Sequence, residues 1–122
     1  MRFLLSTAVA VLSVGYGLAQ TAPRSAATTG ACSYYARSHN GHATANGEKF
    51  DSNAMTAAHR TYPMGTKLKV TNLANEKSVV VRVNDRGPFV KGREISVTRR
   101  AAQELGFVKQ GVTNVRIEQV PK

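Results

Sequence analysis

Residues 78–89, SVVVRVNDRGPF, decide how the rest of the chain is read. Val79, Val81 and Val83 fall on one face of an extended segment, while Val80 and Arg82 share the other. That two-residue period, in β-branched residues, is the signature of a strand with one face buried. Arg86, Gly87 and Pro88 end it, so Asp85 stands where a rigid strand delivers a side chain to a surface loop.

Outward from this strand the same period recurs. Lys67 to Asn72 alternates, with Leu68 and Val70 inward and Lys67, Lys69 and Thr71 outward, and Leu73 to Lys77 is a polar turn. Glu94 to Val97 is short and extended. Thr98 to Leu105 is helical, with Thr98 as N-cap and Gly106 as its stop. Val112 to Val120 returns to strand. On the N-terminal side, Ala31 to Ala36 is a small and aromatic run, and Arg37 to Lys49 is a loop rich in Gly, Asn and His. Short strands, tight turns and one helix point to a small closed barrel in a mainly β chain.

The chain has 122 residues, 42% of them apolar and 20% charged, which fits one globular domain. Large cofactor enzymes of the (β/α)₈ kind need roughly 250 residues and are excluded on length. Arg2 followed by the apolar run Phe3 to Gly15, then Gly17 and Ala19, reads as a signal peptide over residues 1–19. The run falls short of the roughly 18 apolar residues of a membrane span, so no transmembrane anchor is expected. Residues 20–29 read as a flexible leader and 30–120 as the folded domain. Seventeen Lys and Arg against seven Asp and Glu give a net charge of +10. Such a chain seeks anions. Without a basic helix, zinc-finger spacing or aromatic RNA-binding motif, an exported protein of this charge is expected to meet wall polymers rather than nucleic acid. Cys32 stands alone and reads as a small buried strand residue.

So few carboxylates allow a search for acid–base groups by elimination. Glu76 lies in a turn, Glu104 on the helix surface and Glu118 in alternation with Arg116; all three read as solvated, and Glu94 beside Arg93 is ambiguous. Glu48 and Asp51 follow Thr44-Ala45-Asn46-Gly47, a loop whose glycine permits close approach to a ligand, and Asp85 ends the best strand. These three are the candidates. His59 follows the apolar segment Met55 to Ala58 and reads either as a core histidine or as the partner of a carboxylate. His39 and His42 with His59 or Asp51 carry metal-ligand residue types, but their spacing specifies no site, and neither metal nor cofactor is expected.

Gly30 to Tyr35 (GACSYY), Thr44 to Phe50 (TANGEKF), Asn53 to His59 (NAMTAAH), Pro63 to Asn75 (PMGTKLKVTNLAN), Ser78 to Phe89 and Gly92 to Gly106 together resemble the RlpA (rare lipoprotein A) family. The resemblance implies a six-stranded double-psi β-barrel, the fold of expansin N-terminal domains and barwin. It also implies lytic cleavage of peptidoglycan glycan strands at the wall of Gram-negative bacteria. Glu48 and His59 match positions the family uses for activity, and Asp85 matches the aspartate at its cleft. One acid suffices for such a reaction, because the muramyl hydroxyl attacks internally and no second carboxylate has to position a water. Glu48 is the expected acid, and Asp85 the base or charge-stabilising group. Tyr34, Tyr35, Thr44, Asn46, Asn84, Arg86 and Ser96 are the expected substrate-binding set, with strand packing the other use of either tyrosine. Where the family has Asp-Leu-Ser, this chain has Ser96, Val97 and Thr98, a hydroxyl in place of a carboxylate. Two functions follow: a lytic transglycosylase, or a wall-binding or wall-loosening module that cuts nothing. Either is expected to be a monomer in the periplasm or secreted, held to peptidoglycan by its basic surface.

Overall fold

The computed structural model describes residues 27–121. The segments read as signal peptide and as most of the leader lie outside the described residues. Six strands form, β1 (Thr28–Tyr34), β2 (Thr56–His59), β3 (Lys67–Asn72), β4 (Ser78–Asp85), β5 (Arg93–Val97) and β6 (Val112–Gln119), with helix α1 (Arg99–Leu105) between β5 and β6. Among the described residues a 3₁₀ turn, Arg37–His39, follows β1. The first strand begins two residues before the boundary read at Gly30, because Thr28 and Thr29 pair with Ile117 and Arg116 of β6.

The strands close in the order β1-β5-β2-β4-β3-β6. Two pairs are parallel, β1 with β5 and β2 with β4, and the other four contacts are antiparallel. This is the expected six-stranded double-psi barrel. Alternation fills its interior as the sequence predicts: Leu68, Val70, Val81, Val83, Ile95, Val97, Val115 and Ile117 are almost fully buried, and Cys32 lies among them. Burial pushes the Cys32 thiol up to about 12, so it is a packing group and not a nucleophile.

Each parallel ladder carries a one-residue shift. Ala57 pairs with Val83 but Ala58 pairs with Asp85, leaving Asn84 over; Ala31 pairs with Arg93 but Cys32 pairs with Ile95, leaving Glu94 over. A bulge of this kind sets two residues against one and re-aims their side chains. On β4 it ends the inward series Val79, Val81, Val83 and turns Asp85 outward, beside the outward Ala58.

Helix α1 is locked at both ends. The Thr98 hydroxyl accepts from Ala101 N at 3.2 Å and donates to the Ala54 carbonyl at 2.5 Å. Gly106 takes the left-handed conformation (φ 82°), and a Cβ there would lie 2.8 Å from Asn75 Nδ2. Asn72 and Asn75 both donate to the Leu105 carbonyl, tying the helix end to the β3–β4 turn. Thr98→Ala removes the cap and leaves the partly buried Ala54 carbonyl without this donor. Denaturant unfolding is expected to show a loss of about 2 kcal/mol, and no loss would refute the role given to Thr98.

Candidate active site

The 36–55 connection between β1 and β2 is pinned across the outer face of β4. A bridge between Ala43 and Lys49 makes its tip a tight turn, with Gly47 at positive φ (92°). Thr44 Oγ1 donates to Asn46 Oδ1 at 2.7 Å, Glu48 N donates to the same oxygen at 3.1 Å, and Asn46 N reaches the Asn84 carbonyl at 3.3 Å. Thr44, Asn46 and Asn84 therefore shape the loop that carries Glu48. Their side chains serve the loop and its carboxylate.

Glu48 is brought directly onto β4. Arg82 grips both its oxygens, at 2.7 and 3.0 Å, and Asn84 Nδ2 adds a third bond at 3.1 Å. The Arg82 guanidinium first, and Asn84 second, hold the carboxyl down at about 2, well below the usual carboxylate range. Both side chains remain about 40% exposed, so the pair is a charged group open to solvent on the outer face of β4. This corrects the expectation that Glu48 waits as a protonated acid. Arg82 and Asn84 keep its resting form the carboxylate. The signal for this was faint, since Arg82 lies 34 residues away and reads in sequence as one more outward strand residue.

Asp85 is fixed by three bonds. Tyr35 donates its phenol to Oδ2 at 2.6 Å, and the amides of Ala45 and Arg86 donate to Oδ1, each at 2.9 Å. Burial, and then the bond to Asp85, keep the Tyr35 proton in place far above neutral pH. The two tyrosines diverge as neighbours on a strand must. Tyr35 packs on a buried Phe50, ring centroids 4.5 Å apart, with its hydroxyl on Asp85. Tyr34 turns inward onto Phe107 and donates to the Val108 carbonyl, so it leaves the substrate-binding set as a packing residue.

His59 stands apart from both carboxylates. It is 4% exposed, and its Nδ1 accepts from the amides of Thr61 and Tyr62 at 3.2 and 3.3 Å, which leaves the proton on Nε2. Nε2 lies 3.7 Å from Glu94, beyond hydrogen-bond reach, and no other partner meets it. Burial drives the imidazole pKa down, against the pull of Glu94. The turn it organises matters to the site: Arg86 donates to the carbonyls of His59 (3.1 Å) and Tyr62 (2.6 Å). Arg86 thus touches Asp85 through its backbone amide, while its guanidinium braces the 59–62 turn. The two side chains form no ion pair with each other among the described residues.

Ser96 lies outward on β5, paired with Ala58, which in turn pairs with Asp85. Two strand spacings, about 10 Å, separate it from the aspartate. Ser33, Ser96 and Ala58 are all under 10% exposed, so this row is closed over. Among the described residues no three His, Cys, Asp or Glu side chains come together as metal ligands would, and no helix is long and apolar enough to cross a membrane.

Comparison with known proteins accords with this architecture. The family described as lytic transglycolase matches residues 27–117. A Neisseria meningitidis protein named endolytic peptidoglycan transglycosylase RlpA is 53% identical over 92 residues, covering 75% of this chain and 38% of its own length. A Treponema pallidum relative, named a probable enzyme of the same kind, is 56% identical over 88 residues, or 72% of this chain and 28% of its own. The chain therefore spans well under half the length of these relatives. Among solved structures, a Clavibacter michiganensis expansin variant in complex with cellohexaose aligns with a TM-score of 0.64 at 20% identity, covering 79% of this chain and 51% of that one. A Streptomyces papain inhibitor aligns at 0.63 and 22%, covering 79% and 96%. These two likenesses are of fold.

Two titrations test the site. Glu48, observed by carboxyl NMR, is expected to titrate near 2 and to move up toward the ordinary range in Arg82→Gln. Because the folded-state value is depressed, the pair stabilises the protein above the usual carboxylate pKa, and that contribution is lost as pH falls from about 4.5 toward 2. His59 is likewise depressed, so stability should fall as pH drops below about 6.5, where the unfolded chain takes up a proton first. His59→Gln should abolish that step; a step that persists would place it elsewhere.

Proposed function

We propose, from the premise that the chain belongs to the RlpA-like double-psi β-barrel family of lytic transglycolases, that it is an endolytic peptidoglycan transglycosylase. It would cleave the bond between MurNAc and GlcNAc and release an anhydromuramyl end, acting outside the cytoplasm at the wall of a Gram-negative cell, in the periplasm or after secretion. The observation that carries this reading is the pairing of two held carboxylates on one rim: Glu48, gripped by Arg82 and Asn84, and Asp85, gripped by Tyr35 and two amides.

The reaction suits an ionised Glu48. In a lytic cleavage the muramyl C6 hydroxyl attacks C1, loses its proton, and the departing C4 oxygen gains one. No water enters, and the proton count closes within the substrate. As the C1–O4 bond breaks and the bond from the C6 oxygen to C1 forms, a carboxylate at the site accepts the C6 proton and passes it to the departing C4 oxygen within the same step, so it ends as it began, ionised against Arg82. Asp85, immobilised by its three donors, presents negative charge where the sugar ring becomes oxocarbenium-like. Tyr35 and Arg86 orient Asp85. His59 acts one step further back, as a positioning residue, because its Nδ1 shapes the turn whose carbonyls hold Arg86.

Incubation with purified sacculi and with stem-free glycan strands, followed by mass spectrometry of the soluble products, is expected to show anhydromuramyl ends. Glu48→Gln and Asp85→Asn should each lower the rate by about 100-fold or more. Reducing ends would mean hydrolysis by water. Protein that pellets with sacculi and releases nothing would replace the enzyme with a binding module.

A further inference from the structure

The 86–92 connection between β4 and β5 carries an aromatic ring that neither the core nor the proposed reaction uses. Phe89 is 80% exposed and Val90 after it 55%, the two most exposed large apolar side chains among the described residues. A lone apolar residue at a surface is ordinary, but here the loop is braced around the pair. Arg60 Nη1 donates to the Pro88 carbonyl at 2.9 Å and to the Arg93 carbonyl at 2.6 Å, which ties the two arms of the loop together. Arg93 N closes its tip on the Val90 carbonyl at 3.1 Å. Gly87 takes a positive φ of 117°, and a Cβ built there would stand 3.4 Å from Phe89 Cε2. The ring thus lies beside bare backbone and keeps most of its surface in water. That backbone also leads to the carboxylate: Arg86 N donates to Asp85 Oδ1, Gly87 follows, and the ring rests against Gly87. Four residues of chain span at most about 14 Å, so Phe89 stands within a few sugar units of Asp85.

We propose that Phe89 is a stacking platform for a pyranose ring of the glycan strand, a subsite beside the one where Asp85 meets the cleaved sugar. The proposal rests on the reading of the protein as a peptidoglycan transglycosylase and deepens it. A pyranose turns axial C–H groups to its faces, and these lie flat on an aromatic ring while hydroxyls and amides stay at the rim in water. Because Arg60 already braces the loop, binding has little left to order. An exposed Phe-Val pair with Lys91 and Arg93 beside it also carries the residue types that touch a lipid surface. The glycan is the better match. Two side chains anchor a protein to lipid only shallowly, and seating them would bring the Glu48 and Asp85 side chains toward the bilayer at a cost in desolvation.

The chain contains no tryptophan, so Phe89→Trp places a single indole fluorophore at the platform. The full chain carrying Phe89→Trp with Asp85→Asn, which keeps the strands uncut, is titrated with stem-free glycan strands and separately with phosphatidylglycerol vesicles. The expected result is a saturable blue shift with glycan and an unchanged spectrum with vesicles. In the otherwise unaltered chain, Phe89→Ala should raise KM for the strands about tenfold and leave kcat within about twofold, because a stack made equally in ground and transition state acts on KM. Phe89→Tyr should restore the KM, and Val90→Ala should keep it. No shift with glycan, a shift as large with vesicles, or an unaltered KM in Phe89→Ala overturns the assignment, and the vesicle result would make the loop a lipid contact instead. Binding and cleavage are read apart. A saturable shift with no anhydromuramyl product from wild type would sink the lytic reading and leave the platform, whereas product with an unaltered KM in Phe89→Ala would sink the platform and leave the lytic reading.

Discussion

In the ladder between β2 and β4, Ala57 sits opposite Val83 and Ala58 opposite Asp85, and the spare residue Asn84 is what the cleft is made from. Had the strand kept its period, Asp85 would follow Val79, Val81 and Val83 into the barrel. A carboxylate there, unpaired among valines, would cost several kcal/mol. The bulge sends it outward, beside Asn84, which the strand period already turns outward after Val80 and Arg82 and whose amide meets Glu48. One extra residue therefore puts Asp85 on the face that holds Glu48. The loop bearing Glu48 is drawn onto β4 by Asn46 N to the Asn84 carbonyl and Ala45 N to Asp85, together with the Arg82 grip on Glu48 itself.

The barrel repeats the device. In the other parallel ladder the spare residue is Glu94, which lies against Gly30 so closely that a Cβ on the glycine would come within 2.7 Å of the Glu94 Cβ. Gly30 is thus a matter of space, since it makes room for the carboxylate that faces His59 Nε2 and pairs with Arg60 at 3.3 Å. Each parallel pair of the double-psi barrel extrudes one polar residue at its bulge. One of these, Asn84, is spent on the cleft and the other, Glu94, on the histidine behind it.

How much of this was legible follows from the range of each interaction. The strands at 67–72 and 78–85, the capped helix and the core valines are local patterns, and they were readable because period and cap lie within a few residues. The strand Thr56–His59 was not, because all four residues are buried and a fully buried strand of that length has no alternation to show. That Tyr34 and Tyr35 part company was open to reading, since neighbours on a strand face opposite ways; only the assignment of which turned inward needed the structure. The family resemblance placed Glu48, His59 and Asp85 in one list. The structure brings Glu48 and Asp85 to one rim and sets His59 behind it. Glu48's charge state depended on an arginine distant in sequence, and His59's role on a turn whose carbonyls were engaged by Arg86; neither is written in any short window of residues.

The ionised Glu48 also bears on the missing aspartate at Ser96. A hydrolase needs one group to deliver the leaving proton and another to activate water, so losing a carboxylate removes half of its chemistry. A lytic reaction makes no such demand, because its nucleophile is part of the substrate and the proton it sheds is the one its leaving group requires. With Glu48 and Asp85 fixed by six hydrogen bonds on one rim, the proposed lytic reaction would have its proton carrier and a negative charge for the ring without a third carboxylate. Ser96 lies two strands away in a row closed to solvent, and its hydroxyl costs less to bury there than a carboxylate would. Serine at that position is therefore compatible with turnover by internal attack, and it is a poor ground for reading the barrel as inert.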